Sequence, residues 1–208
     1  MKHNPFSTRK TTPGKIPWHF GDDSLRDDPI INDFYEKFRN FDYRSQITGG
    51  HGTGKTTFLY EFVRYLECQK HIVNHFTLHD GQRSFPLKFW ERQNLLASQF
   101  LYGAMKEIPI TVVDGYEQLA LAQKIRLRRA CRKGKCGLLI TTHRPAWRLP
   151  VLRHTETTDA TLQHIIRYLF RDLPDMEPPN ENLCRTLFDR HQGNLRNVLF
   201  DLYDYYEQ

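Results

Sequence analysis

The spacing of apolar residues changes period several times along this chain, and each change marks an element. Residues 31–41 (INDFYEKFRNF) predict a short helix, and 43–49 (YRSQITG) a strand running into a glycine-rich stretch. Phe58, Leu59, Phe62, Val63 and Leu66 then recur at helical intervals to about Lys70. In 71–80 (HIVNHFTLHD), Phe76 and Leu78 alternate with Thr77 and His79, which predicts a second strand. A helix is expected around 91–105. The run 108–115 (IPITVVDG) is apolar and ends in an acid, the form of a buried parallel strand whose C-terminal end opens on a site. A helix from Tyr116 to Lys133 follows, with Gly134 as its C-cap. Residues 137–143 (GLLITTH) form a fourth strand, Pro145 breaks the chain, and 149–157 (LPVLRHTET) supplies a fifth.

From Asp159 onward the period is helical only. Leu162, Ile165, Ile166 and Leu169 share one face of 159–170. PDMEPPN links it to helices over 181–192 and 193–207, the last with Leu195, Val198, Leu199 and Leu202 in register. Strands alternating with helices predict a parallel α/β sheet. The expected organisation is an N-terminal arm (1–28), a core of about five mostly parallel strands in a three-layer sandwich (29–158), and a three-helix lid (159–208). The arm is polar and rich in Pro and Gly, so it is expected to be extended, pinned by Phe6, Ile16, Trp18 and Phe20.

At 208 residues and 39% hydrophobic content, the chain can build one good core plus a small accessory unit. No apolar run approaches the ~20 residues of a membrane span, and MKHNPFSTRK lacks the apolar centre of a secretory signal, so a cytoplasmic location is expected. Cys68, Cys131, Cys136 and Cys184 form no CxxC pair and no zinc-ligand spacing, so they read as reduced, structural thiols. A net charge of +6 admits a nucleic-acid partner without requiring one.

The strongest chemical signal lies between the first strand and the helix after it. Gly49, Gly50, His51, Gly52, Thr53, Gly54, Lys55 and Thr56 fit GxxxxGKT, with Thr57 next. Glycines let the backbone approach phosphates so that N–H groups converge on them at the positive end of the helix dipole. Lys55 suits the β- and γ-phosphates of a nucleotide, and the Thr56 hydroxyl a Mg²⁺ ion. Asp114, closing the third strand, reads as the second acid, which would hold the magnesium through water; a helix N-cap is its alternative role.

On four blocks, GGHGTGKTT, ITVVDGYEQL, GLLITTHRP and GNLRNVLFDLYD, the chain resembles the P-loop ATPases of the AAA+ and STAND group. That resemblance covers residue 41 to the C-terminus. It implies one extra strand between those carrying the two Walker motifs, ATP with Mg²⁺ as the bound nucleotide, and a nucleotide-dependent switch or motor subunit that hydrolyses ATP. It also implies that Thr142 or His143 takes the sensor 1 position and that Arg196 in GNLR is the sensor 2 arginine contacting the nucleotide. NPFSTRKTTPGKIPW in the arm resembles the stretch before the P-loop in a group of uncharacterised bacterial ATP-binding proteins. ATP over GTP follows from the resemblance, since no NKxD-like motif is present, and no LSGGQ-like signature points to a transporter ATPase.

One position departs from the family. Gly115 follows Asp114 where hydrolytic members usually carry a glutamate. Glu117 is the nearest carboxylate, either folding back toward the γ-phosphate or serving as a first-turn glutamate favoured by the helix dipole. Two other functions stay open: a sensor that binds ATP without hydrolysis, which Gly115 supports, and a small-molecule or nucleoside kinase, for which HFTLHDGQR could supply Asp80 as an acidic base and Arg83.

Lys124, Arg126, Arg128, Arg129, Arg132, Lys133 and Lys135 crowd the end of the helix after Asp114. The helix dipole explains part of this. The rest fits a solvated face, a phosphate-backbone contact with nucleic acid, or an arginine finger from Arg128, Arg129 or Arg132 serving a neighbour in a homo-oligomer.

Overall fold

The computed structural model describes residues 4–18 and 28–207; Phe20, one of the expected arm anchors, lies outside them. The elements in chain order are α1 (Thr8–Thr11), α2 (Pro29–Asn40), β1 (Arg44–Gly49), α3 (Lys55–Cys68), β2 (Val73–Thr77), α4 (Leu87–Leu101), β3 (Ile110–Asp114), a single 3-10 turn (Tyr116–Gln118), α5 (Leu121–Lys133), β4 (Gly137–Thr142), β5 (Val151–Thr155), α6 (Asp159–Phe170), α7 (Glu181–Arg190) and α8 (Leu195–Glu207). The five strands form one parallel sheet in the order β2-β3-β4-β1-β5. β4 thus lies between β1, which leads into the glycine loop, and β3, which ends at Asp114. Its register sets Thr142 beside Thr48 of β1 and Ile140 beside Val113 of β3.

By packing, the described residues divide into two compact units, 28–48 with 61–154 and 4–18 with 49–60 and 155–207. In the first unit, α2 starts where Asp28 accepts hydrogen bonds from the amides of Ile30 and Ile31 at 2.9 and 3.2 Å, with Pro29 at the first helical position. β3 and β4 are buried along their whole length, as expected of central parallel strands covered on both faces. Leu78, Phe85, Phe89, Trp90, Leu127 and Leu138 belong to one continuous core, where the rings of Phe85 and Phe89 stack at 4.0 Å.

Two expectations in this unit are corrected. α4 begins at Leu87 instead of near 91, because burying Phe89 and Trp90 holds the first turn against the sheet side of the core. It ends at Leu101, with Gly103 at a φ of +75° just beyond. The continuous helix expected over 116–133 is broken: the 3-10 turn ends with Leu119 in extended backbone, and α5 starts afresh at Leu121. Gly134 is the C-cap of α5 as expected.

In the second unit, Phe6 and Ile16 are buried in one cluster with the inner faces of α6, α7 and α8. Phe6 packs against the rings of Phe170 and Tyr206 at 5.8 and 5.4 Å, and Trp18 stands edge-on to Phe58 at 4.9 Å. The arm is therefore pinned by Phe6, Ile16 and Trp18, but it is not wholly extended, since 8–11 make a helical turn. α6 opens with a capping box in which Thr158 and Thr161 satisfy each other's amides, and Asn180 caps α7 by accepting from Asn182. No helix among the described residues is long and apolar enough to cross a membrane.

Candidate functional site

The glycine-loop residues 49–57 belong to the unit that also holds α6 to α8. β1 delivers the chain at Gly49, residues 50–54 turn, and α3 begins at Lys55. The turn forms a cradle into which the first side chain of α3 is drawn: the Lys55 ammonium is buried and donates to the carbonyls of Gly49 and Gly50 at 2.8 and 2.5 Å. Thr53 donates to the Gly50 carbonyl at 3.0 Å and shares a 2.8 Å hydrogen bond with the Thr155 hydroxyl. Gly50 and His51 are exposed at the rim, while Gly54, Thr56 and Thr57 are half-buried.

Gly52 sits at the loop's tip with a φ of +68°. A Cβ there would lie 1.9 Å from Asn194 Oδ1 and 3.2 Å from the Arg196 amide nitrogen. Only glycine permits both that backbone and that approach. Asn194 also caps α8, accepting weakly from the Asn197 amide at 3.4 Å, and the turn before it is tied by Thr157, whose hydroxyl donates to the Gly193 carbonyl at 2.6 Å. The structure therefore brings the GNLR segment onto the glycine loop through Asn194 and the Arg196 backbone, while the Arg196 side chain is exposed. Backbone amides at a helix start, with an ammonium among them, form a receptor for an anion.

The candidate acids lie in the other unit. Asp114 is buried at the end of β3, where its carboxylate accepts a hydrogen bond from the Thr141 hydroxyl of β4. The Gly115 amide donates to that same hydroxyl at 2.9 Å. Gly115, and not Asp114, holds the N-cap position of the following turn, with a left-handed φ of +80°. A Cβ there would meet the Leu78 carbonyl oxygen at 3.2 Å. This backbone explains why no glutamate stands next to Asp114: a side chain at 115 would be strained and crowded.

The carboxylate that does reach this region is Glu117. Its Oε1 lies 3.0 Å from Nε2 of His143, just past β4. Glu117 lies in the first turn of the 3-10 segment Tyr116–Gln118, ahead of α5. Its main-chain carbonyl accepts from the Lys124 ammonium at 3.0 Å. Thr142 instead turns its hydroxyl to the Arg144 carbonyl at 2.9 Å. Of the two residues offered for one sensor position, His143 meets Glu117 and Thr142 closes the strand end.

Thr141, Thr155 and Asn194 went unnoticed in the sequence. Asn194 had a readable signal, an Asn just before a helical stripe. Thr141 had none, because its pairing with Asp114 depends on β4 lying next to β3. Three of the seven clustered cations have internal partners: Lys124 over the Tyr116 ring, Arg126 over Trp90 at 4.2 Å, and Arg128 with the Tyr116 hydroxyl and the Trp147 carbonyl at 3.1 and 2.7 Å. Arg129, Arg132, Lys133 and Lys135 are exposed, as are Asp80 and Arg83.

No protein-family model matches the chain, and no curated protein matches it. Among solved structures it is similar to Cdc6p from Pyrobaculum aerophilum, with a TM-score of 0.61 at 15% sequence identity over 98% of this chain. The match spans 64% of the length of that structure. The likeness shows the fold, a five-stranded parallel α/β sheet with flanking helices.

Proposed function

We propose that this chain binds ATP with Mg²⁺ and hydrolyses it as a nucleotide-dependent switch. The observation that carries the reading is the buried Lys55 ammonium held inside a glycine loop at the start of α3, a donor set that matches phosphate oxygens. Gly49 to Thr57 would cradle the phosphates, and Arg196 would answer to the nucleotide from the C-terminal helices. Thr56 and Asp114 offer hard oxygen ligands, the kind Mg²⁺ takes, so the residues present fit that ion. When bound, it would neutralise phosphate charge.

Within this reading Glu117 receives the proton of the attacking water and His143 fixes its orientation, as their 3.0 Å contact supports. Thr141 holds the Asp114 carboxylate in place. The lid helices 159–208 and the arm 1–28 would transmit the nucleotide state of the core, 29–158, to a partner. The left-handed Gly115 favours a second reading, an ATP sensor with no hydrolysis, because it removes the usual carboxylate position.

Binding of a fluorescent ATP analogue and phosphate release, both measured with Mg²⁺ for wild type and Lys55→Ala, test the proposal. Binding lost in the variant and turnover present in wild type are expected. Unchanged affinity in Lys55→Ala would overturn the phosphate-loop assignment, and tight binding with no release would select the sensor.

A further inference from the structure

α5 and the segment after β4 enclose an open groove of about 720 Å³. Its apolar lining is unusually accessible: Leu121 is 72%, Ile125 42% and Trp147 74% exposed. Leu121, Ile125, Arg128 and Arg132 follow one another at helical spacing, so a single stripe of α5 carries aliphatic side chains and then guanidinium groups. Lys124, Arg129, Arg144 and Arg148 add to the lining, and its one carboxylate, Glu117, already faces His143.

Two features separate this groove from a solvated basic face. The helix dipole draws cations only to the last turn, which accounts for Arg132 but not for Arg128, Arg129, Arg144 or Arg148. Nor does it explain Leu121 and Ile125 facing solvent among them. Parts of the groove are also held in place: Arg128 is fixed by the Tyr116 hydroxyl and the Trp147 carbonyl, and the Arg148 guanidinium covers the Trp147 ring at 3.9 Å. An exposed Trp beside aliphatic side chains, rimmed by arginines, has the make-up of a protein-binding hot spot. A nucleic-acid strand would stack successive bases on several planar rings, whereas here Trp147, with Arg148 over one of its faces, is the single strongly exposed aromatic ring of the lining and the remaining exposed floor is aliphatic.

We propose that this groove docks an acidic amphipathic segment of a partner protein. Its apolar side chains would lie on Leu121, Ile125 and Trp147, and its carboxylates on Arg129 and Arg132. Charge complementarity decides the chemistry: six cations against one carboxylate that is already engaged call for an anionic occupant, and the floor calls for one with an apolar face. The inference stands without the nucleotide reading. Because Glu117 and His143 line the same groove, the occupant would adjoin the pair assigned to water activation.

The test is fluorescence anisotropy of the full chain with a labelled peptide, Glu-Leu-Phe-Asp-Glu-Leu-Leu-Asp-Phe-Glu. Binding on the order of 10 µM is expected, the range of a small unoptimised interface. Trp147→Ala, the double variant Arg129→Glu/Arg132→Glu, and a peptide with Ser in place of Leu and Phe should each weaken it at least about tenfold. Lys88→Glu, an exposed α4 residue outside the groove lining, should leave it within about twofold, as a rim charge remote from the contact would. Absence of binding at about fifty times that concentration, or an equal loss from Lys88→Glu, overturns the proposal. So does binding of oligo-deoxythymidine in preference to the peptide, if the Arg129/Arg132 reversal abolishes it; that result assigns the groove to nucleic acid.

Discussion

Asn194 fills the space that any side chain at position 52 would need, its amide oxygen lying 1.9 Å from where a Gly52 Cβ would be built. The tip of the glycine loop and the cap of the last helix are thus fitted to each other. Gly52→Ala must meet both this contact and a left-handed backbone, which costs on the order of 1–3 kcal/mol. Asn194→Ala removes the contact together with a helix cap worth about 1 kcal/mol. In the double variant part of the first penalty disappears, so thermal unfolding of the four-member cycle should show a favourable coupling of about 0.5–3 kcal/mol. Strict additivity would mean that the loop tip and the α8 cap are independent.

In the proposed function Glu117 would serve as the carboxylate that Gly115 cannot supply. Glu117→Gln should reduce phosphate release by about 10²-fold or more while leaving ATP-analogue affinity within about threefold, the pattern of a lost general base. His143→Gln should lower turnover less, because it removes orientation and not the acceptor. Equal turnover of wild type and Glu117→Gln would leave the Glu117–His143 contact without a catalytic role.

The cysteines differ sharply in environment. Burial pushes the thiol of Cys131 up to about 12 and those of Cys136 and Cys184 up to about 11, while Cys68 is partly exposed. Only the thiolate attacks a disulfide reagent. At pH 8 the native protein should therefore release about one equivalent of thionitrobenzoate from Ellman's reagent quickly, and about four after denaturation. Rapid native reaction of two or more thiols would contradict this packing.

Burial lowers the pKa of His75 below its ordinary 6.5, only partly countered by the charges of Asp114 and Glu67. The sign follows from linkage. Well above pH 6.5 the ring is neutral in both states and adds no pH dependence; as pH falls below 6.5 the unfolded chain takes up the proton first, and stability is lost until pH passes the folded value. His75→Gln should consequently lose less of its melting temperature between pH 7.5 and 5.5 than wild type does, with the two differing least at the upper end. Parallel melting profiles across that window would remove His75 from the acid sensitivity of the fold.

What could be read from the chain alone was local. α6 runs over Asp159–Phe170 as its apolar stripe indicates, because a 3.6-residue period and a Thr cap act within one helix turn. The glycine loop is equally self-contained: GGHGTGKT holds both the backbone freedom and the lysine that its geometry uses. What only the tertiary structure decided depends on residues far apart in sequence. Strand order rests on hydrogen bonds between segments, so nothing in 137–142 reveals that β4 lies beside β3 and sets Thr141 against Asp114. α4 starts four residues earlier than its own pattern suggests, since burial of Phe89 and Trp90 outweighs local propensity. The meeting of Glu117 with His143 has the same origin: a left-handed Gly115 breaks the expected helix, and the turn it frees brings the carboxylate to the end of a strand 26 positions further on.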